Sequence, residues 1–206
     1  MFIVASCEKQ QKKNSIRLGV VGLGTGTLAA YGRMGDYIRY YEINPLVPPI
    51  TRGQFFFVPT CPAQLDIEMG DARLTLEKEP PQQFDVLAVD AFSSDAIPVH
   101  LLTKEAMALF FRHLQPDGIL ALHISNRYLD LQPVVEGEAN ALGKLNRTID
   151  TEDDESVDVF SATWVLVFDK NSGFSPPEFN YSADIKSRRK VRLWTDDYSN
   201  LFQILK

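Results

Sequence analysis

Three glycines and one carboxylate give the chain a pattern typical of nucleotide-binding turns. Gly22, Gly24 and Gly26 interrupt the end of an apolar run that starts near Arg17. Glycine has no Cβ, so it lets the backbone come close to a ligand. Glu42 follows Gly22 by 20 residues, and a carboxylate at that spacing can accept both hydroxyls of a ribose. The pattern favours a bound nucleoside, with a plain strand-to-helix turn as the alternative.

Two further residues indicate which kind of nucleoside the turn suits. A dinucleotide-binding fingerprint requires a third glycine where this chain has Thr27. The turn therefore suits an adenosyl group better than a pyrophosphate. Asp71 supports this interpretation, because a carboxylate after the third predicted strand can accept the exocyclic amine of adenine. The same residue could instead be the N-cap of the next helix, and one side chain could serve both purposes.

The elements that must position these residues alternate between strand and helix patterns. Strands are predicted at 16–21, 37–43, 65–69, 84–90, 119–125 and 161–168, and helices at 71–76, 103–114 and 131–142. This alternation predicts an α/β fold with a doubly wound, mostly parallel sheet and an antiparallel C-terminal hairpin. Ligands bind at the carboxyl ends of such strands. We therefore expect the polar and glycine residues that end five strands to share one pocket.

The sequence also predicts local structure in two stretches, the proline-rich one after the second strand and the one that follows the glycine turn. Five prolines and one glycine lie between Pro45 and Pro62, so we expect no regular helix there, although a doubly wound fold would normally place one. Thr25 or Thr27 is expected to cap a short helix over 28–31 through its side-chain oxygen.

Composition narrows the class of protein. The 206 residues suffice for one domain, which we place at 17–206, with 1–16 as an N-terminal extension. A net charge of −6 argues against a nucleic-acid partner. Two cysteines cannot form a disulfide framework, and no apolar run reaches the roughly 18 residues of a membrane span. We therefore expect a cytoplasmic protein with no membrane domain in this chain.

Several long motifs resemble those of one enzyme family. VGLGTGTLAAYG, YEINPLV, GDARLTLE, FDVLAVDAFSSDAIPVHLLT, HISNRYLDLQPVV and WTDDYSN span most of Arg17 to Asn200. They are similar to the spermidine synthase (polyamine aminopropyltransferase) family, and above all to its bacterial branch, whose members often carry this domain behind transporter-like membrane helices. The resemblance implies the Rossmann-like fold of class I S-adenosylmethionine-dependent methyltransferases.

The resemblance also implies a role for each matching residue. The co-substrate would be decarboxylated S-adenosylmethionine, bound at Gly22, Gly24, Thr25, Gly26, Glu42, Asp71 and Ala72. Asp90 would be the base or amine anchor, and Asp95 the second catalytic acid. An alkylammonium substrate has a pKa of ~10.4, so the site must bind a cation and remove its proton. A small amine such as putrescine and a homodimer are the partners we expect, with no metal.

One departure from the family pattern keeps other functions open. Thr25 stands where the family has an acidic residue that recognises the amino group of the aminopropyl chain. A methyltransferase that uses intact S-adenosylmethionine and a non-catalytic nucleoside-binding domain therefore remain alternatives. Of the histidines, we expect His123 to be a hydrogen-bonded core residue rather than a catalytic one. His100 is a weaker candidate for the pocket wall.

Overall fold

Seven strands form one sheet in the order β3-β2-β1-β4-β5-β7-β6. The structure is a computed structural model, and it describes residues 12–91, 98–151, 161–174 and 189–206. The strands are β1 Arg17–Val21, β2 Tyr37–Glu42, β3 Gln64–Met69, β4 Phe84–Val89, β5 Leu114–His123, β6 Leu145–Thr151 and β7 Ala162–Phe168. The first five strands run parallel to one another. β7 is antiparallel to both β5 and β6, which confirms the mostly parallel sheet and the antiparallel hairpin.

Helices cover both faces of this sheet. They are α1 Val47–Gln54, α2 Ala72–Lys78, α3 Lys104–Arg112 and α4 Gln132–Ala141, with short 3₁₀ helices at Thr27–Tyr31, Val99–Leu101 and Leu201–Ile204. One apolar cluster packs α2, α3 and α4 against the sheet. A second cluster packs the other face against Ala29, Val47 and Phe174. Strands β1 and β4, at the centre of the sheet, are almost entirely buried, as expected for parallel strands covered on both faces.

The prediction of no helix after β2 is wrong. Helix α1 occupies Val47–Gln54, and its prolines, Pro48 and Pro49, lie in the first turn that follows the N-cap residue Leu46. The first N–H groups of a helix have no intrahelical acceptor, so a proline there loses no hydrogen bond. Pro48 is buried, as is Thr51, whose hydroxyl donates to the carbonyl oxygen of Gly24 at 2.6 Å. The proline-rich stretch thus holds the glycine turn in place.

The predicted threonine cap is also wrong. The residues that follow the glycine turn form a 3₁₀ helix at Thr27–Tyr31, and its N-cap residue is Gly26 with φ of 79° and no side-chain hydrogen bond. Two other helices do have side-chain caps, and the cap by Asp71 was predicted. Asp71 accepts from the N–H of Leu74, and Thr103 accepts from the N–H of Ala106.

Strand β5 begins five residues earlier than predicted. It starts at Leu114, which pairs with Phe84, and the pairing becomes irregular before it resumes at Val86 and Ile119. The sequence Pro116-Asp-Gly118 therefore lies inside an irregular strand rather than between a helix and a strand.

No helix in the described part of the chain is long and apolar enough to cross a membrane.

Candidate active site

A cavity of about 420 Å³ opens at the carboxyl ends of β1, β2, β3 and β4. This volume is within the range of small-molecule sites. Its wall combines apolar groups, such as Val47 and Leu101, with polar ones. Six of the residues predicted for the site line it: Gly22, Gly24, Glu42, Asp71, Ala72 and Asp90. The parallel sheet thus brings together side chains that are up to 68 residues apart in the sequence.

The glycine turn is held against the two strands that flank β1. The N–H of Gly22 donates to the carbonyl oxygen of Tyr41 at 2.9 Å, and the N–H of Asp90 donates to that of Val21 at 2.9 Å. Gly22 has a φ of +96°, and a Cβ at this position would overlap with the carbonyl oxygen of Asp90. Only glycine fits here, because both the backbone conformation and the close approach exclude a side chain.

We expect Gly22→Ala to lower the free energy of unfolding by ~2 kcal/mol or more, because strain at φ above zero and displacement of Asp90 both add to the cost. Binding of methylthioadenosine, the nucleoside that the expected co-substrate would leave after transfer, should weaken as well. The matched control is Gly53→Ala in α1, where a Cβ would meet nothing within 4 Å and alanine is the better helix former by up to ~1 kcal/mol. Chemical denaturation and calorimetry measure both effects. Equal stability of the two variants would contradict the close-approach argument.

Glu42 joins the end of β2 to the glycine turn. Its Oε2 accepts from the N–H of Leu23 at 2.9 Å, and its Oε1 accepts from the N–H of Asn44 at 2.8 Å. The residue is only 7% exposed, yet it lines the cavity. A carboxylate has about four lone-pair positions, so two backbone donors leave capacity for ligand hydroxyls. The same side chain can therefore support the turn and face a ribose.

Asp71 is the helix N-cap that one of its two interpretations predicted, and its second carboxylate oxygen contacts a histidine. Its Oδ1 caps α2 by accepting from the N–H of Leu74 at 3.0 Å. Its Oδ2 lies 3.0 Å from Nε2 of His100. His100 also lines the cavity, where it was a candidate for the wall. The pair forms one polar wall, with Ala72 beside it.

Asp90 is hydrogen-bonded to His123, which was predicted to be a core residue. Nδ1 of His123 lies 2.8 Å from Oδ1 of Asp90, and Nε2 lies 2.7 Å from Oγ of Ser125. The hydroxyl oxygen of Ser125 in turn accepts from the N–H of Thr163 at 2.8 Å. The imidazole is hydrogen-bonded, as expected, but its partner is the candidate catalytic acid. The alternate spacing of His123 and Ser125, at the end of the strand next to that of Asp90, is the sequence pattern that could have indicated this contact.

Two predicted site residues, Thr25 and Gly26, are not among the residues that line the cavity. Thr25 is exposed at the tip of the glycine turn. Gly26 is buried at the start of the 3₁₀ helix, where a Cβ would lie 2.6 Å from Cγ2 of Val58. Asp95 lies outside the described residues. Thr25 and Asp95 therefore stay predictions, and Gly26 has a structural role in the turn.

The C-terminal segment packs beside the cavity through an ion pair. Nη1 of Arg73 donates to Oδ1 of Asp196 at 2.8 Å, and Nη2 donates to its Oδ2. The Thr103 hydroxyl donates to Oδ1 as well. These hydrogen bonds, led by that from Arg73, hold the pKa of the Asp196 carboxyl below its usual value. Asp196 thus fixes the segment to α2 rather than serving as an unpaired acid.

The described residues contain no group of three or more His, Cys, Asp or Glu side chains arranged to hold a metal ion. Asp71 and Asp90 each contact a histidine, and Glu42 is held by backbone N–H groups.

Comparison with solved structures identifies the fold. The human methyltransferase-like protein 13, solved in complex with SAH, superposes with a TM-score of 0.65 at 20% identity, over 96% of this chain and 92% of that one. A probable spermidine synthase from Corynebacterium glutamicum superposes with a TM-score of 0.63 at 19% identity, over 83% of this chain and 62% of that one. This is the class I methyltransferase fold.

Sequence comparison adds a family similarity within that fold. A polyamine aminopropyltransferase of Vibrio vulnificus is 29% identical over 109 residues, which cover 50% of this chain and 36% of that protein. The chain thus aligns with about a third of that relative's length. No protein-family model matches the chain. The resemblance seen in the motifs is therefore supported by a sequence relative and by the shared fold.

Proposed function

We propose that the chain is an aminopropyltransferase that moves an aminopropyl group from decarboxylated S-adenosylmethionine to an amine such as putrescine. The observation that carries this proposal is the convergence of Glu42, Asp71 and Asp90 on one cavity beside a glycine turn. Three carboxylates in one small site suit a ligand pair that combines hydroxyls, an amine-bearing base and two cations. The similarity to a polyamine aminopropyltransferase supports the same reaction.

The donor would occupy the half of the cavity between β1 and β3. Glu42 would accept the ribose hydroxyls with the lone pairs that Leu23 and Asn44 leave. Asp71, with His100 at its Oδ2, would face the adenine edge, and Val47 and Leu101 would supply apolar surface. The glycine turn leaves room for the sulfonium chain because Gly24 presents no side chain. These groups fit an adenosyl sulfonium in size and polarity.

The acceptor would bind at Asp90. Both ring nitrogens of His123 are bonded, one to Asp90 and one to Ser125, so the base on the cavity wall is the carboxylate. A carboxylate suits a protonated amine, because it can bind the cation and take its proton. The amine nitrogen would then attack the carbon next to the sulfonium. The carbon–sulfur bond breaks, its electron pair returns to sulfur, and methylthioadenosine leaves as a neutral thioether.

Incubation with decarboxylated S-adenosylmethionine and putrescine is expected to release methylthioadenosine and spermidine in equal amounts. Chromatography with mass detection measures both products. Omitting putrescine is the control for donor hydrolysis. No methylthioadenosine above that control, across a panel of primary amines, would refute the proposal.

A second candidate is methyl transfer from intact S-adenosylmethionine. Thr25 favours it, because a neutral side chain in the glycine turn lacks the charge that would recognise the aminopropyl ammonium. Release of S-adenosylhomocysteine with an amine or acid panel would identify this activity. Binding of methylthioadenosine without turnover of either donor would instead favour a nucleoside-binding domain with no catalytic role.

The remaining parts of the proposal concern organisation. We propose that residues 17–206 form one domain, that the chain acts in the cytoplasm, and that it pairs as a homodimer. Each rests on the composition and the family resemblance. Gel filtration with light scattering tests the dimer.

A further inference from the structure

The register of three strands places His123 between Asp90 and β7. Val89 of β4 pairs with Leu122 of β5, so the next position on each strand brings Asp90 beside His123. His123 pairs with Trp164 on β7, and the two rings are stacked with centroids 4.8 Å apart and planes 22° from parallel. The imidazole is therefore held by a strand on either side rather than by a loop. Groups placed on sheet strands keep their geometry better than groups on loops.

The hydrogen bonds behind Asp90 run in one direction. The backbone N–H of Thr163 can only donate, so Oγ of Ser125 accepts from it. An ionised Asp90 can only accept, so Nδ1 of His123 carries the proton between them. A neutral imidazole with Nδ1–H has Nε2 as an acceptor, which the Ser125 hydroxyl satisfies by donating its own proton. Each donor in the series points toward Asp90, and such chains strengthen their members.

We propose that His123 is a positioning residue for Asp90: its Nδ1–H fixes Oδ1 and leaves Oδ2 for the ammonium group of the acceptor. Ser125 and Thr163 would select the tautomer that makes this possible. That the positioning of Asp90 serves catalysis rests on the proposed function, whereas the tautomer of His123 does not depend on it. His123 would act only through Asp90, whose side chain is 39% exposed while that of His123 is 23% exposed.

A merely structural histidine would behave differently from a positioning one. If His123 only fills space against Trp164, a phenyl ring would replace it without loss of activity. If it positions Asp90, the essential atom is the donor at Nδ1. Asparagine places its amide nitrogen where histidine has Nδ1, so it can keep the donor while losing the ring. The two substitutions therefore separate the donor from the packing.

The experiment compares His123→Phe with His123→Asn in turnover, methylthioadenosine binding and thermal stability. We expect His123→Phe to lower kcat by about 100-fold, the usual effect of a small misplacement at a reacting group. Its KM for the donor and its affinity for methylthioadenosine should stay near those of the wild type. His123→Asn should recover most of the lost kcat although it packs less well. Equal losses of kcat in both variants, in step with their losses of stability, would overturn the proposal.

Nitrogen-15 spectroscopy tests the inference even if the wild-type protein shows no transferase activity. Nitrogen-15 spectra of the imidazole side chains report which ring nitrogen carries the proton. The chain has three histidines. The imidazole signal that disappears in His123→Asn belongs to His123. We expect the Nδ1–H tautomer in the wild type and its loss in Asp90→Ala. An Nε2–H tautomer in the wild type would overturn the proposal, whereas an inactive wild type with Nδ1–H would refute the proposed function alone.

Discussion

Asp90→Asn is expected to lower kcat by about 10²- to 10⁴-fold, the range that a general base contributes. An asparagine amide can neither take a proton from an ammonium group nor bind the cation with a full charge. Affinity for methylthioadenosine should stay near that of the wild type, because the groups assigned to the nucleoside are Glu42 and Asp71. The measurement is steady-state kinetics together with calorimetry on the same preparations.

Asp197→Asn is the matched control for this variant. It makes the same change of charge at an exposed residue of the C-terminal segment, next to an aspartate that is fixed by Arg73. Its kcat should equal that of the wild type. If Asp90→Asn keeps full turnover, Asp90 is not the base. If it also loses methylthioadenosine binding, Asp90 belongs to the nucleoside site instead.

A buried acid on α4 gives the second large effect. Glu138 is fully buried, and neither of its carboxyl oxygens has a hydrogen-bond partner among the described residues. Burial, with a smaller contribution from the charge of Glu105, raises the pKa of Glu138 to about 9 from its usual 4.5. The carboxyl is therefore protonated in the folded protein at neutral pH and ionised in the unfolded chain.

The sign of the pH dependence follows from this difference in protonation. Between pH 4.5 and 9 the folded state holds one more proton at Glu138 than the unfolded state, so stability falls as the pH rises. The slope is about 1.4 kcal/mol per pH unit for one proton, so about 4 kcal/mol is lost between pH 5 and pH 8. A side chain at position 138 that stays neutral in both the folded and the unfolded state would remove this loss of stability.

We therefore expect Glu138→Gln to match the wild type near pH 5 and to be more stable by about 3–4 kcal/mol at pH 8. Glu138→Leu should be more stable at both pH values, because it also removes the unpaired polar atoms. Urea denaturation at the two pH values measures these differences. An equal gain for Glu138→Gln at both would show that packing, not ionisation, separates it from the wild type.

The core of the sheet could be predicted from the sequence because its pattern is local. Strands β1 to β4 end within one residue of their predicted ends, and α3 and α4 lie within their predicted ranges. Helix α1 could not be predicted by counting prolines, because their effect depends on position. In the first turn a proline costs no hydrogen bond, and only the structure shows that Pro48 and Pro49 lie there.

The link between Asp90 and His123 was harder to predict for a different reason. A histidine inside an apolar strand looks the same in sequence whether its partner is a backbone carbonyl or a catalytic acid. The choice depends on the register between β4 and β5, which is shifted by an irregularity near Phe84. Glu42 and Asp71, the residues proposed to bind the co-substrate, needed no such knowledge, because Glu42 ends its own strand and Asp71 directly precedes its own helix.

The insertion of β7 between β5 and β6 also sets an order of assembly. β6 comes first along the chain, but it pairs only with β7 among the described strands, so it joins the sheet after β7 has been synthesised. The N–H of Thr163 that orients Ser125 arrives on that same strand. A nascent chain that ends before β7 already contains the strands that carry the glycine turn, Glu42 and Asp90, but not the N–H that orients Ser125. Under the proposed function, we expect the residues that bind the nucleoside to be in place before those that position Asp90.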